Sequence, residues 1–498
     1  MHGVGQWFYP APRRLLALLL AAWLTAGRCA FAADEPAIDG LFSDWVEGAE
    51  AVQELEGDAT GAFDLSRVQV RTYGTRLYLR FDIGRELNLQ AGPGSQGTLQ
   101  LLVDLPAGRR LSIDFRRRWA CWADEPEQQI PWTQIKFACL PTYAAREYEL
   151  RLDLAPLGAR AGDEVAVQFG GSDNLPEPVV VVLNNSPEPA TDGTARVAAA
   201  DVRIANLNTF YEGLSRGPRA QQIGRLLAAV DADVYCFQEE LREELFRSGA
   251  QRVVPRKNGA ALNLHWQGDC GIATCWPLQP LPMTFAARFA RADVEDRQTG
   301  AAAAIELPGG EHLVVCVVHL SCCGSMDDAR DQARQREMQQ LVGQIERLRA
   351  GEFGAHLRSA AVVVVGDWNL VGSRQPLTLL ESAGLTEHLL RGLADRSACT
   401  WRGAADESYW PGRLDLLAYD AGRLEPRRGF LLNTADLSAP VLHALGLRGD
   451  DSGASDHLLL VADFAVRAAA ADGHAGQLDE ARGDGASGRG DAGRGGGK

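Results

Sequence analysis

The sequence predicts an α+β protein of two folded units, an antiparallel β-sandwich followed by a unit in which strands alternate with helices. Three observations lead there. At 498 residues the chain exceeds what one ordinary core serves. Residues 35–184 carry short runs of period-two alternation parted by Gly, Pro and Asp clusters. From residue 201 the texture changes to buried strands interleaved with amphipathic helices.

In chain order, residues 1–32 read as a secretory signal peptide. Arg13 and Arg14 precede the apolar run LLALLLAAWLTAG, and AFA at Ala30–Ala32 offers small residues at the cleavage spacing. The run is too short to span a bilayer comfortably and no later stretch comes close. Export to a secreted or periplasmic location, without stable membrane insertion, is the expectation. The runs VQVRTYG, RLYLRFDIG, TLQLLVDL, RLSIDF, EYELRLDL and EVAVQFGG supply the strands of the sandwich. Residues 185–199 read as a linker, marked by the turn-rich NNSPEPATDGT.

Within 200–466, Ile223, Leu226, Leu227 and Val230 give one apolar helix face. A second helix, about Met326 to Leu348, is densely charged and carries Leu341, Ile345 and Leu348. Around these lie the buried strands AAAAIEL, HLVVCVVHL, AVVVVGDWN, RLDLLAYD and HLLLVADF. Residues 467–498 hold Gly, Ala, Asp and Arg with almost no bulky apolar side chains, and read as a disordered tail.

The net charge of −15 opposes a broad surface for polyanions, while leaving room for a local cationic cleft. Nine of the ten cysteines follow the signal segment, an odd number. Cys121 with Cys139 is the expected local disulfide, whereas Cys236 and Cys316 sit in apolar strands and read as buried small hydrophobes. No pair has C-x-x-C spacing, which argues against a structural zinc site.

The chemistry lies where strands end. Val362–Val365 form a buried strand that runs into Gly366, Asp367 and Asn369. A carboxylate buried deeper would cost several kcal/mol, so a strand delivers polar groups where it leaves the sheet. Gly366 is expected to let the chain turn, with Asp367 and Asn369 pointing the same way on an extended backbone. The pattern recurs at Asn206 and Asn208, at Gln238, Glu239 and Glu240, at His319, at Arg413 and Asp415, and at Ser455, Asp456 and His457. Such a set suits phosphoester hydrolysis, which needs charge neutralised on oxygen, an oriented water and an acid for the leaving group. Carboxylates and amides without a cysteine or triple-histidine cluster suit Mg²⁺, with Mn²⁺ or Ca²⁺ as alternatives.

In this order the motifs FQEE, GDWN, RLD and SDH resemble the endonuclease/exonuclease/phosphatase superfamily, over about residues 200–466. The resemblance implies a four-layer α/β/β/α sandwich with its catalytic groups at one end of two facing sheets. By position it implies Glu239, Asn208 and Asp456 as metal ligands, Asp415 as the partner of His457, and Asp367 with Asn369 around the attacking water. It implies His319 as a second histidine at the phosphate, closer to the deoxyribonuclease and sphingomyelinase branches than to abasic-site enzymes. Arg297 is the candidate phosphate contact in the segment 251–300, with Arg291 and His265 behind it. The implied activity is a secreted divalent-metal-dependent phosphodiesterase, a nuclease or relative, with extracellular nucleic acid as one substrate. A phosphatase or a sphingomyelinase-like phospholipid phosphodiesterase is the alternative.

IDGLFSDW at Ile38–Trp45, with the alternating runs after it, is similar to family-9-type carbohydrate-binding β-sandwich modules. Trp119, Trp122 and Trp132 would then form a sugar-stacking face for a carbohydrate or surface ligand; core aromatics in a spacer or docking module are the alternative. Two other classes compete for the second unit. GLSRG at Gly213–Gly217 matches a serine-hydrolase nucleophile motif around Ser215, but Pro218 interrupts the turn that motif needs. A binding protein that has lost catalysis is the other.

Overall fold

In the computed structural model of the chain, the described residues are 35–45, 50–53, 57, 63–90, 97–185, 194–287, 297–404, 406 and 408–467. The expected signal segment, Arg291 and the tail from 468 lie outside them.

All six alternating runs of the first part are strands, and their alternation decides what they bury. Leu99, Leu101 and Val103 on Leu99–Asp104 face inward while their neighbours are half-exposed. They meet Val68, Leu77, Leu79 and Phe81 from Arg67–Tyr73 and Arg76–Leu87 in one core. Two antiparallel sheets, of five and six strands among the described residues, thus face each other across that core. Trp132 is inside it. Trp122 packs at its margin with the Arg109 guanidinium 3.6 Å above its ring, and Trp119 Nε1 donates to Pro126 O. The three tryptophans therefore share no stacking face. The expected Cys121–Cys139 disulfide is not formed either: the two residues lie on strands of different sheets, and the described cysteines are all free thiols.

The second part is mixed α/β. One six-stranded sheet centres on Val234–Gln238, Val202–Asn208 and Leu459–Val466, and the other on His312–His319, Ala361–Asp367 and Asp415–Tyr419. Ile204, Val315, Val363 and Leu460 pack between the sheets. The outer face of the first sheet is covered by the helices Gly217–Val230 and Glu243–Val253, and that of the second by Ala329–Ala350 and Gln375–Ser382. Helix, sheet, sheet and helix thus succeed one another with an apolar layer at each contact.

The charged helix begins three residues later than expected because Asp328 caps it, accepting from the amides of Arg330 and Asp331. Its buried face is itself partly polar. Arg334 donates to the carbonyls of Ser321 and Cys323, and Glu337 accepts from the Ser321 amide and hydroxyl, so the helix braces the loop after His319. The last residues of the expected linker are also held: Thr194 Oγ1 donates to Ala229 O, and Arg196 pairs with Asp233 at 2.7 Å. The two parts touch through Ile38, Trp45, Tyr78 and Leu140 packed with Ala398 and Cys399, and through the Ala144 amide, which donates to Gly372 O.

Candidate active site

Strand register assembles the site. His312–His319 pairs in parallel with Ala361–Asp367, setting His319 beside Asp367, and Asp415–Tyr419 runs antiparallel on the other side, setting Asp415 beside Asp367. Residues in register on neighbouring strands share a face, so His319, Asp367 and Asp415 form a row. In the facing sheet Asn208 is in register with Gln238, one residue before Glu239. His457 comes from the approach to Leu459–Val466.

These ends meet. Asn208 Nδ2 lies 3.1 Å from Glu239 Oε1 and 3.1 Å from Asp367 Oδ2, tying the two sheets together. Asp367 Oδ2 is also 3.7 Å from His319 Nε2 and 3.8 Å from His457 Nε2. Each imidazole is fixed from behind: His457 Nδ1 is 2.7 Å from Asp415 Oδ2, and His319 Nδ1 is 2.8 Å from Asp269 Oδ2. A carboxylate at Nδ1 sets ring orientation and turns Nε2 toward the site. Burial alone would lower the His457 pKa, but Asp415 and Asp367 outweigh it and push the group up to about 10. Glu240, one residue beyond Glu239, turns inward to Thr209 Oγ1 and the Leu214 amide, and burial pushes it up to about 7.

The valine strand delivers Asp367 differently from the sequence expectation. Gly366 (φ +146) is not a turn: a Cβ there would run into the Val318 carbonyl of the neighbouring strand. The backbone turns three residues later at Asn369 (φ +48), whose amide donates to Asp367 Oδ1 while Nδ2 donates to Leu320 O. Asp367 and Asn369 converge through this turn and not along an extended chain. Glu239 (φ +62) and the run Phe210 (φ +52), Tyr211 (φ +54) and Glu212 (φ +60) share the left-handed region, and the Tyr211 amide donates to Glu239 Oε2. Such conformations cost about 1 kcal/mol or more each and cluster where geometry serves function.

Above the row opens a cavity of about 620 Å³, lined among others by Glu239, His319, Asp367, Asn369, Asp456 and His457. Asp456 Oδ2 accepts from Trp401 Nε1 at 3.2 Å. Of the predicted residues, Asn208, Glu239, His319, Asp367, Asn369, Asp415, Asp456 and His457 are thus gathered at one mouth. Arg297 is on a two-residue strand paired with Ala286–Ala287, and its side chain is outside the described residues. His265 is not at the cavity. Arg413 turns away into an ion pair with Glu387. Ser215 donates to Glu212 O and lines a separate surface groove.

Sequence reading missed Asp269, in the turn between Asn263–Gln267 and Cys270–Thr274; the QGDCG turn there was its only signal. It also missed Arg330, a cation at the cavity whose Nη1 donates to Cys322 O, and the aromatic lining of Tyr211, Trp401 and Tyr409.

Among the described residues no three His, Cys, Asp or Glu side chains form a metal cage. The oxygens at the mouth, from the carboxylates of Glu239 and Asp456, fit a hard cation that keeps most of its water, whereas Asn208 turns Nδ2 toward Glu239 and Asp367 and its Oδ1 accepts from the Phe210 amide.

Carboxylate-backed imidazoles facing a third carboxylate, at one end of two packed sheets, are the parts of acid–base hydrolysis. The chain belongs to the Endonuclease/Exonuclease/phosphatase family, whose model matches residues 205–457, just over half of the 498, and whose members are phosphoric ester hydrolases. Solved structures similar to it include the catalytic domain of human Nocturnin with bound sulfate (17% identity, 55% of this chain and 97% of that one, TM-score 0.37). Others are D. rerio TDP2 with a single-strand DNA product (18%, 53% and 98%, 0.37) and Staphylococcus aureus beta toxin (16%, 53% and 99%, 0.37). No curated protein matches the chain in sequence.

Proposed function

We propose that the protein is an exported, divalent-metal-dependent phosphodiesterase that cleaves its substrate by in-line attack of water. The observation that carries this reading is the pair of dyads, His319 with Asp269 and His457 with Asp415, both presenting Nε2 to one oxygen of Asp367. Asp367 orients the attacking water, with Asn369 beside it. His457, held as imidazolium by its two carboxylates, binds a phosphoryl oxygen or protonates the leaving oxygen, and His319 faces the same group. Glu239 and Asp456 would hold Mg²⁺, with Asn208 joining them once its amide is turned over, and with Mn²⁺ or Ca²⁺ as alternatives. When bound, the cation supplies charge neutralisation on the phosphoryl oxygens. Arg330 adds a fixed positive charge inside an otherwise acidic protein.

Extracellular DNA or RNA is the first substrate class. A second reading, a phospholipid phosphodiester, is favoured by one observation: Phe210, Tyr211 and Leu241 are exposed, and the last two line the mouth. For residues 35–184, likeness to carbohydrate-binding modules supports a related β-sandwich, while the dispersed tryptophans give no support to a sugar face.

The test is turnover by purified protein on DNA, RNA, sphingomyelin vesicles, bis-p-nitrophenyl phosphate and p-nitrophenyl phosphate, with Mg²⁺ and with EDTA. Diester hydrolysis abolished by EDTA is expected; no turnover on any substrate with metal supplied would overturn the reading.

A further inference from the structure

We infer that the first unit is a built-in wall of the active site, and that Trp410 is a positioning residue plugged into that unit's core to hold the Trp401–Gly412 segment over the cavity. Trp410 belongs to the second part of the chain, yet its side chain is 1% exposed inside the core of the first. Its ring meets Phe115, Trp132 and Phe137 edge-on, at centroid distances of 5.8, 5.8 and 5.6 Å. The neighbours are clamped too. Arg118 Nε donates to Ser408 O at 2.7 Å, its guanidinium lies 4.0 Å over the Tyr409 ring, and Gln90 Nε2 donates to Trp410 O. The Arg413 amide donates to Thr142 Oγ1.

From this anchor the segment reaches the reacting groups through its backbone. Trp401 is bridged both to Gly412 and to His457, the Arg402 amide donates to Asp456 O, and the Leu458 amide donates to Thr400 O. Thr400 Oγ1 accepts from the Leu414 and Asp415 amides. Trp401 and Tyr409 line the cavity together with Asn88, Gln90 and Thr142 of the first unit. One side of the substrate site is therefore made by the first unit, directly and through the loop it grips. A ligand-binding module on a tether would have no need to bury a tryptophan from its neighbour. The substrate's extent on this side, and so KM, is set by that grip.

This inference rests on the cavity being the phosphoester site, and its test separates the two. Full-length Trp410→Ala, Trp410→Phe and Arg118→Ala proteins are compared with wild type by hydrogen exchange in metal-free buffer and by steady-state kinetics on the best substrate found. Amides of Trp401, Arg402 and Leu458 are expected to exchange about tenfold faster in Trp410→Ala and Arg118→Ala, while Arg76–Leu87 stays protected. In the same two variants KM rises about fivefold or more with kcat changed less, while Trp410→Phe restores both protection and KM. If Trp410→Ala does not fold, Arg118→Ala against Trp410→Phe decides. Unchanged exchange in Arg118→Ala, or faster exchange with unchanged KM, overturns the inference. A wild type with no turnover overturns the proposed function instead, and exchange alone then decides the anchor.

Discussion

Asp415 Oδ2 lies 2.7 Å from His457 Nδ1, with both side chains buried. An imidazole fixed this way can serve only one direction, and Asp367 stands there. Replacing Asp415 with Asn removes the charge that holds the imidazolium while keeping the shape. Asp415→Asn is expected to lower kcat about a hundredfold or more, with far-ultraviolet circular dichroism unchanged. A kcat within threefold of wild type would contradict the role given to the pair.

His319 and Asp269 repeat the arrangement from the other side, 2.8 Å apart. His319 is the more exposed imidazole, its side chain 11% accessible against 5% for His457, so its ring depends less on the carboxylate behind it for orientation. Asp269→Asn is therefore expected to cost about tenfold in kcat/KM, less than Asp415→Asn. The same assay on both variants and their double mutant checks the order. Equal or reversed effects would show that the dyads are ranked wrongly.

Most of this site was legible in the sequence because its groups sit at strand ends, where a valine run or a VVCVVHL pattern marks the strand and the polar residue marks its exit. What could not be read was set by pairing across the fold. Asp269 acquires meaning only because a hairpin turn meets a strand end 50 residues on. Trp410 reads as one more aromatic until it is found in the core of the other unit. The Asn369 turn replaced an extended exit because an aspartate side chain can cap the amide two residues on. The disulfide expectation failed for the related reason that closeness in sequence does not set closeness in the fold: Cys121 and Cys139 are both free thiols, on strands of different sheets.

Gly366 gives a stability prediction. Its φ of +146 and the Val318 carbonyl beside it leave no room for a methyl group. Gly366→Ala should destabilise the folded state by about 3 kcal/mol or more, read by urea denaturation. A loss under about 1 kcal/mol would mean that the two strands part without cost.

Glu149 gives a pH prediction. It accepts from the Asp39 and Gly40 amides and from Trp45 Nε1, but burial dominates and pushes it up to about 8. The folded state then keeps a proton that the unfolded state has lost between pH 4.5 and about 8. This group's contribution to stability is largest below pH 4.5 and declines as pH rises to about 8. Glu149→Gln does not titrate, so the wild type's advantage over it should shrink across that window in denaturation curves. A constant gap would contradict the raised pKa.

Cys322 and Cys323 stand at the cavity rim with their sulfurs 2.7 Å apart. The hydrogen bond between the two sulfurs lowers the pKa of Cys323, while burial pushes the thiols of Cys139, Cys236 and Cys316 up. Iodoacetamide at pH 7 is expected to label Cys323 first, as read by peptide mass spectrometry. Earlier labelling of a buried thiol would contradict this order.

The central claim is that separated strand ends converge on one phosphoester, with Asp367 at their meeting point, and hydrolysis of bis-p-nitrophenyl phosphate with Mg²⁺ by Asp367→Asn protein tests it most directly. The expected result is a fall in kcat/KM of about a thousandfold with unchanged thermal stability; activity within threefold of wild type would contradict it.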